Sequence, residues 1–441
     1  MFVMHHYPMS VFWDRNRELS KIRESVGKGA FGYVTGRRRI GKTALLTKAC
    51  EELGGLYHQA VEGAPPQQLL HLSEEFRERL PIFREVVPKT WGEFFGLLSR
   101  EKLPKLLVFD EFPYWVDGDP TLPSHLQKWI DHTLPKTDSL ILVSGSSQGM
   151  LYSQFLKQSS PLYGRASVPI HLAPLSFQWF CRAMEYPAEN PSSFERYSLV
   201  GGVPHYWKLL PKTSLLEQAD QLYFEPSAIL SEEPKNLVQD ERITGTIPKA
   251  ILDLVGRGVS KPSELAARLG TPQGNLSRPL AMLLELGLIH RELPFGESSR
   301  TTKKVLYSIQ DPSLSFYYGT VLPLRDRWQT LSAEKKGGAL NRHASHQWEI
   351  ECRRMVPGSA RYWEGDIEID LIAYQEEEKK YLVAECKWQE LSLAQEKNLE
   401  ENLQNRFSKT ALGKKLANVT FKIFSKKDVS TLATQAKDWK I

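Results

Sequence analysis

Residues 36–43 read GRRRIGKT and fit the pattern G-x-x-x-x-G-K-[ST]. They follow the apolar, β-prone run 31–35 and precede ALLTKACEEL, whose apolar residues recur at helical spacing. Strand, glycine-bounded loop and helix in that order make a phosphate cradle. Backbone N–H groups of the loop and of the helix N-terminus point at the same space and favour an anion there. The pattern assigns 36–43 (Gly36, Arg37, Arg38, Arg39, Ile40, Gly41, Lys42, Thr43) to nucleotide binding. Lys42 would meet the β- and γ-phosphates, and the Thr43 hydroxyl would ligate Mg²⁺.

Working outward, the apolar run 106–109 ends in Asp110 and Glu111, and a third run, 140–143, ends in SGSS. Buried strands alternating with helical stretches predict a parallel sheet covered by helices. Asp110 at a strand end is the expected second metal contact, and Glu111 the group that orients a water toward the γ-phosphate. Ser144, Ser146 and Ser147 are either further polar groups facing that phosphate or ordinary turn residues.

The chain has 441 residues, enough for about three cores. Its 41% hydrophobic and 25% charged content excludes a largely disordered chain. We divide it into a P-loop core at 1–175, a helical lid at 176–242, a winged helix-turn-helix at 243–310, a linker at 311–331 and a small α/β domain at 332–441. No run approaches 18 apolar residues and the first fifteen residues lack a signal-peptide pattern, so the reading expects no membrane partner and a cytoplasmic protein. Cys50, Cys181, Cys352 and Cys386 lack metal-ligand spacing and read as reduced thiols.

The winged-helix reading rests on three short helical patterns between 247 and 289, followed by two β-runs around a glycine-containing tip. In a DNA-binding module of this kind Gln273, Asn275, Ser277 and Arg278 would face the major groove, and Arg300, Lys303 and Lys304 would touch phosphates. Pro279 is expected to remove a donor from the recognition helix. Protein docking is the alternative use of the module.

In the last domain, WEGDIEIDLIAY is followed by YLVAECKWQ. Strand alternation puts Glu368 with Asp370 on one face and Glu385 with Lys387 on a face of the next strand. Asp370, then Glu-x-Lys about fifteen residues on, is the pattern of the PD-(D/E)xK nuclease fold. Asp370, Glu385 and a further ligand, Glu349, would hold Mg²⁺ or Mn²⁺, with Lys387 beside the attacking water. Ile369 stands where the motif's proline is expected. Residues 366–401 hold eleven acids and four bases, whereas 402–441 hold nine bases and two acids, an acidic segment abutting a basic one. The net charge of +5 is compatible with an anionic partner.

FWDRNREL at 12–19, GRRRIGKT, VFDEFPYW, the GSS after the third run, LYGR at 162–165, APLSF and GGVPHYW together resemble the archaeal and bacterial DEXX-box ATPases of the AAA/STAND kind. The resemblance runs through nearly the whole chain. It implies an ATP- and Mg²⁺-dependent hydrolase, Arg15 near the adenine, Arg165 as a nucleotide-sensing or finger arginine, and 202–204 in a lid motif. It also implies a C-terminal domain related to restriction-type nucleases, with DNA or RNA as target and a homo-oligomer by analogy. The fold class expected is therefore multidomain α/β: a P-loop NTPase parallel sheet with helical lid, winged helix-turn-helix and a restriction-endonuclease-like C-terminal domain. The alternative is a regulatory NTPase whose nucleotide state controls partner binding and whose nuclease-like domain is inactive.

Overall fold

The run that precedes GRRRIGKT is strand β1 (Ala30–Thr35), joined in sequence by β2 (Leu56–Gln59), β3 (Leu106–Asp110), β4 (Leu140–Ser144) and β5 (Val168–His171). The structure, a computed structural model, describes residues 12–435 except Ser299 and Thr301. Lys437 and Lys440 of the basic segment lie outside the described residues. The chain divides into two compact units. One holds residues up to 174 with 203–205 and 240–242; the other holds 175–202, 206–239 and the chain from 243 onward.

In the first unit the five strands run parallel in the order β2-β3-β4-β1-β5. Every residue of β3 and β4 is buried, as a parallel sheet covered on both faces requires. Helices Pro65–Phe76, Trp91–Leu98 and Leu122–His132 turn Leu72, Phe76, Phe94 and Leu126 into one core with Phe109 and Ile141. The registers that pair Val34 with Ser144 and Gln59 with Asp110 bring the carboxyl ends of β1, β3 and β4 together. That edge is where an open parallel sheet holds ligands.

The second unit begins with helices Phe177–Met184 and Pro191–Val200. Helices Thr246–Gly256, Pro262–Arg268 and Ser277–Glu285 then lead to an antiparallel ribbon of β6 (His290–Glu292) and β7 (Leu306–Ser308). Pro279 is the third residue of its helix, where an N–H has no intrahelical partner, so the donor that it lacks costs no helix bond. The segment 311–331 is helical turns rather than a bare linker: Asp311 accepts from the Leu314 amide at 2.8 Å, and Leu314, Phe316, Val321 and Trp328 are buried.

The expected helix around Trp348 is one of 23 residues, Ala333–Met355. It precedes β8 (Ala360–Glu364), β9 (Ile367–Gln375) and β10 (Lys380–Cys386). Helix Leu393–Ser408 then crosses over to β11 (Val419–Phe424). The sheet order is β11-β10-β9-β8, with β10 and β11 parallel and the other pairs antiparallel. Leu403 and Phe407 of the crossover helix pack on Ile369, Ile372, Val383 and Ile423. Phe194, Trp348 and Trp388 meet with ring centroids 4.8–5.4 Å apart, and Glu195 accepts from Trp388 Nε1 at 3.1 Å and Lys426 Nζ at 2.9 Å. Helix Pro191–Val200, expected to serve as a lid, is thus part of the same core as the C-terminal sheet. Among the described residues no helix is long and apolar enough to cross a membrane.

Candidate functional site

The GRRRIGKT loop turns on backbone that side chains adopt reluctantly. Gly41 ends it at φ 103°, in the left-handed region, and starts helix Lys42–Leu53. At Gly36 a Cβ would come within 2.9 Å of the Leu172 carbonyl oxygen, so only glycine lets the loop pass that strand end. Ile40 is fully buried and anchors the loop. Lys42 folds back and donates to the carbonyls of Gly36 at 2.8 Å and Arg37 at 3.2 Å, closing a ring around the space that phosphates would fill. Burial lowers the Lys42 pKa, while the charges of Glu111, Asp110 and Glu241 pull it back up. Arg15 braces the loop from outside, donating to the carbonyls of Ile40 at 3.3 Å and Ala173 at 2.9 Å.

Asp110, 1% exposed, is the hub of the site. Its Oδ2 accepts from Thr43 Oγ1 and from the Tyr57 hydroxyl, each at 2.8 Å. Its Oδ1 accepts from Ser144 Oγ at 2.5 Å and the Glu111 amide at 3.0 Å. A buried carboxylate with four donors is fully satisfied. Burial first, and the Asp110 charge second, raise the Tyr57 pKa, so Tyr57 stays a donor. Glu111 sits at φ 53°, which costs a non-glycine residue about 1 kcal/mol. Its carboxylate accepts from both the amide and the hydroxyl of Ser146. The Thr43 hydroxyl and the Asp110 carboxylate are adjacent oxygen donors of the kind Mg²⁺ prefers, and the ring closed by Lys42 suits a nucleotide's phosphates.

In the second unit the C-terminal carboxylates do gather. Glu349, on the long helix, and Asp370, on β9, interact electrostatically. Loss of hydration, then the Asp370 charge, pushes Glu349 up to about 7. Asp370 is itself raised, by burial and then by Glu385, although it accepts from the Cys386 amide at 2.8 Å. Glu385 is 7% exposed and grips two cations: Lys387 Nζ at 2.7 Å, and Arg406 of the crossover helix. Glu368 and Asp370 both act on Glu349, as expected of residues on one face of β9, and Glu368 also pairs with Arg361. Among the described residues no three His, Cys, Asp or Glu side chains are set as metal ligands. The expected triad of Glu349, Asp370 and Glu385 is therefore not formed as a cation cage, because Arg406 and Lys387 take the carboxylate of Glu385.

Residues 12–210 match a family described as an ATPase domain predominantly from Archaea. The chain carries a P-loop ATPase domain. Residues 333–399 match a family described as archaeal and bacterial proteins of unknown function. An uncharacterized protein of Methanocaldococcus jannaschii, MJECL04, is 28% identical over 459 aligned positions, covering 97% of this chain and all of that one. The Walker-type ATPase of Pyrococcus abyssi has the same fold over 70% of this chain and 96% of its own, with 20% identity and a TM-score of 0.51. The ORC2 protein of Aeropyrum pernix, solved as ADPNP–ADP complexes, aligns with 75% of this chain and 92% of its own at 15% identity and a TM-score of 0.40.

Arg165 was expected as a nucleotide-sensing or finger arginine. It precedes β5, whose first residue pairs with Gly32 near the start of β1, whereas the cradle lies beyond the end of β1. Its guanidinium is spent on Asp131, at 2.9–3.1 Å, and on the Pro161 carbonyl at 2.7 Å. Arg165 does not touch the cradle of its own chain. Conversely, Tyr57 and Glu241 were not singled out in the sequence and belong to the site. Glu241 Oε1 accepts from the Gln148 amide at 3.0 Å, and its Oε2 from the Gly149 amide at 3.0 Å and Ser147 Oγ at 3.2 Å. Only the position of Tyr57, at the start of the strand beside β3, carried any signal.

Proposed function

We propose that the ATPase domain binds and hydrolyses MgATP and that this cycle drives an action on nucleic acid. The observation that carries the reading is the network joining Thr43, Asp110 and Ser144, with Glu111 held beside it by Ser146. Lys42 exchanges its loop carbonyls for the β- and γ-phosphates. Thr43 and Asp110 would hold Mg²⁺, directly or through water, and Tyr57 and Ser144 keep the Asp110 carboxylate aimed. A Mg²⁺ held there would supply positive charge against the phosphates. Glu111 accepts a proton from the water it orients, and Ser146 fixes the direction of that carboxylate.

Nucleic acid is the partner the second unit suits best. Ser277 and Arg278 are exposed at the start of the third of three consecutive helices, and Gln273 and Asn275 are exposed in the 3-10 turn Gln273–Leu276 just before it. Arg291, Arg300, Lys303 and Lys304 are exposed on and near the ribbon that follows. The order of elements supports a winged-helix reading, in which the first group of side chains would read bases and the second would contact phosphates. The sheet of β8–β11 with its crossover helix, carrying Asp370, Glu385 and Lys387, fits a PD-(D/E)xK nuclease frame. The capture of Glu385 by Lys387 and Arg406 favours a second reading, in which this domain is a scaffold that does not cut and the ATPase acts as a regulatory switch.

One experiment separates the two readings: full-length protein with plasmid and linear DNA, with and without ATP, in Mg²⁺ or Mn²⁺. DNA-stimulated ATP hydrolysis supports the nucleic-acid reading. Cleavage that Asp370→Ala abolishes, with ATP hydrolysis intact, assigns the nuclease role. Hydrolysis indifferent to DNA, with no cleavage under either metal, puts the regulatory reading first.

A further inference from the structure

Residues 240–242 return to the ATPase domain although their sequence neighbours on both sides belong to the second unit. Each of the three side chains is engaged there. Asp240 pairs with Arg38 of the GRRRIGKT loop. Glu241, 7% exposed, receives the two amides and the hydroxyl at the head of helix Gln148–Phe155. Arg242 pairs with Asp117, two residues beyond the buried Trp115.

The position of these contacts gives them meaning. Ser147, which Glu241 holds, follows Ser144 and Ser146, the residues that fix Asp110 and Glu111. Lys42 feels the Glu241 charge together with those of Glu111 and Asp110. Asp240 therefore occupies a cation of the GRRRIGKT loop, and Glu241 places its charge within reach of Lys42. A buried glutamate on a helix N-terminus is stabilised by the same oriented N–H groups that stabilise a phosphate.

We infer that residues 240–242 form an acidic latch that nucleotide binding opposes, a proposal that rests on the reading of 36–43 as the phosphate site. Phosphates arriving at Lys42 bring negative charge next to Glu241 and compete with Asp240 for Arg38. Latch closure and nucleotide occupancy each disfavour the other, and by linkage the coupling is reciprocal. Because the backbone of the second unit enters and leaves through these residues, a change in the latch passes along the chain to helices 229–240 and 246–256.

The test uses full-length protein and a non-hydrolysable ATP analogue with Mg²⁺. Equilibrium binding is measured for wild type, Asp240→Asn and Glu241→Gln. Both substitutions keep size and remove one negative charge, and each is expected to tighten binding by about three- to tenfold at moderate ionic strength. In the wild type, the analogue should raise amide hydrogen exchange across 236–246. Thermal melts of both variants within a few degrees of wild type exclude a folding effect. If the analogue binds but neither variant binds more tightly, or exchange across 236–246 stays flat or falls, the latch is overturned while the phosphate site stands. If the wild type binds no nucleotide, both fall together.

Discussion

Ser146 holds Glu111 twice, with its backbone amide and its hydroxyl each 2.9 Å from the same carboxylate oxygen. The pair joins the turn after β4 to the end of β3, so the aim of Glu111 depends on a residue that touches no phosphate in the account above. Glu111 also sits in left-handed backbone, and conformational cost of this kind gathers where a side chain must point one way.

Removing the hydroxyl tests that dependence. Ser146→Ala keeps the amide contact and loses one charge-assisted hydrogen bond, worth about 1.5–3 kcal/mol. We expect kcat for ATP to fall by about tenfold or more with KM little changed. Steady-state phosphate release checks it; an equal rise in KM with unchanged kcat would place Ser146 in ground-state binding.

Tyr57→Phe withdraws one of the four donors to Asp110. A buried carboxylate left with an unfilled acceptor costs about 1–3 kcal/mol, so urea unfolding should show a loss of that size. The Mg²⁺ concentration needed for half-maximal ATP hydrolysis should shift as well, since Asp110 is then less firmly aimed.

His343 gives a pH prediction for the second unit. Burial lowers its pKa to about 3, the Ser198 carbonyl at 2.7 Å partly opposes this, and the Phe316 ring lies 4.9 Å away. The unfolded chain takes up a proton near pH 6.5 that the folded chain refuses. Stability is therefore full above about 6.5 and is lost as pH falls toward 3. Denaturant midpoints between pH 7.5 and 5 should fall in the wild type and fall less in His343→Gln.

Much of the ATPase domain was legible because its signals are local. GRRRIGKT and LLVFDE each lie at the end of an apolar strand, and the chemistry sits within a few residues of the pattern. Glu241 was not legible: its partner Ser147 is 94 residues away, and a glutamate at a helix end has no pattern of its own. The pairing of Arg165 with Asp131, 34 residues earlier, has no local pattern either. In the C-terminal domain alternation brought Asp370 and Glu385 near each other correctly. The arrival of Arg406 from the crossover helix depends on helix packing, which alternation does not encode. Gly337 and Gly338, poor helix formers, hid the first half of a helix that starts at Ala333 and is held by packing.

The exposed bases of the ribbon make a salt-dependence prediction. If Lys303 and Lys304 contact phosphates, replacing both with Ala lowers DNA affinity and reduces the slope of log K against log salt by about one to two. Fluorescence anisotropy over a salt series measures this. A fall in affinity with the slope unchanged would move the phosphate contact to another surface.

The central claim is tested most directly by measuring ATP binding and phosphate release side by side in wild type, Lys42→Ala and Glu111→Gln. Lys42→Ala removes the ammonium that meets the phosphates and should weaken ATP binding by about 10- to 100-fold. Glu111→Gln should bind ATP as the wild type does and release no phosphate, since only the water-orienting carboxylate is gone. A wild-type protein that binds no ATP in Mg²⁺, or equal loss of binding in the two variants, would contradict the account.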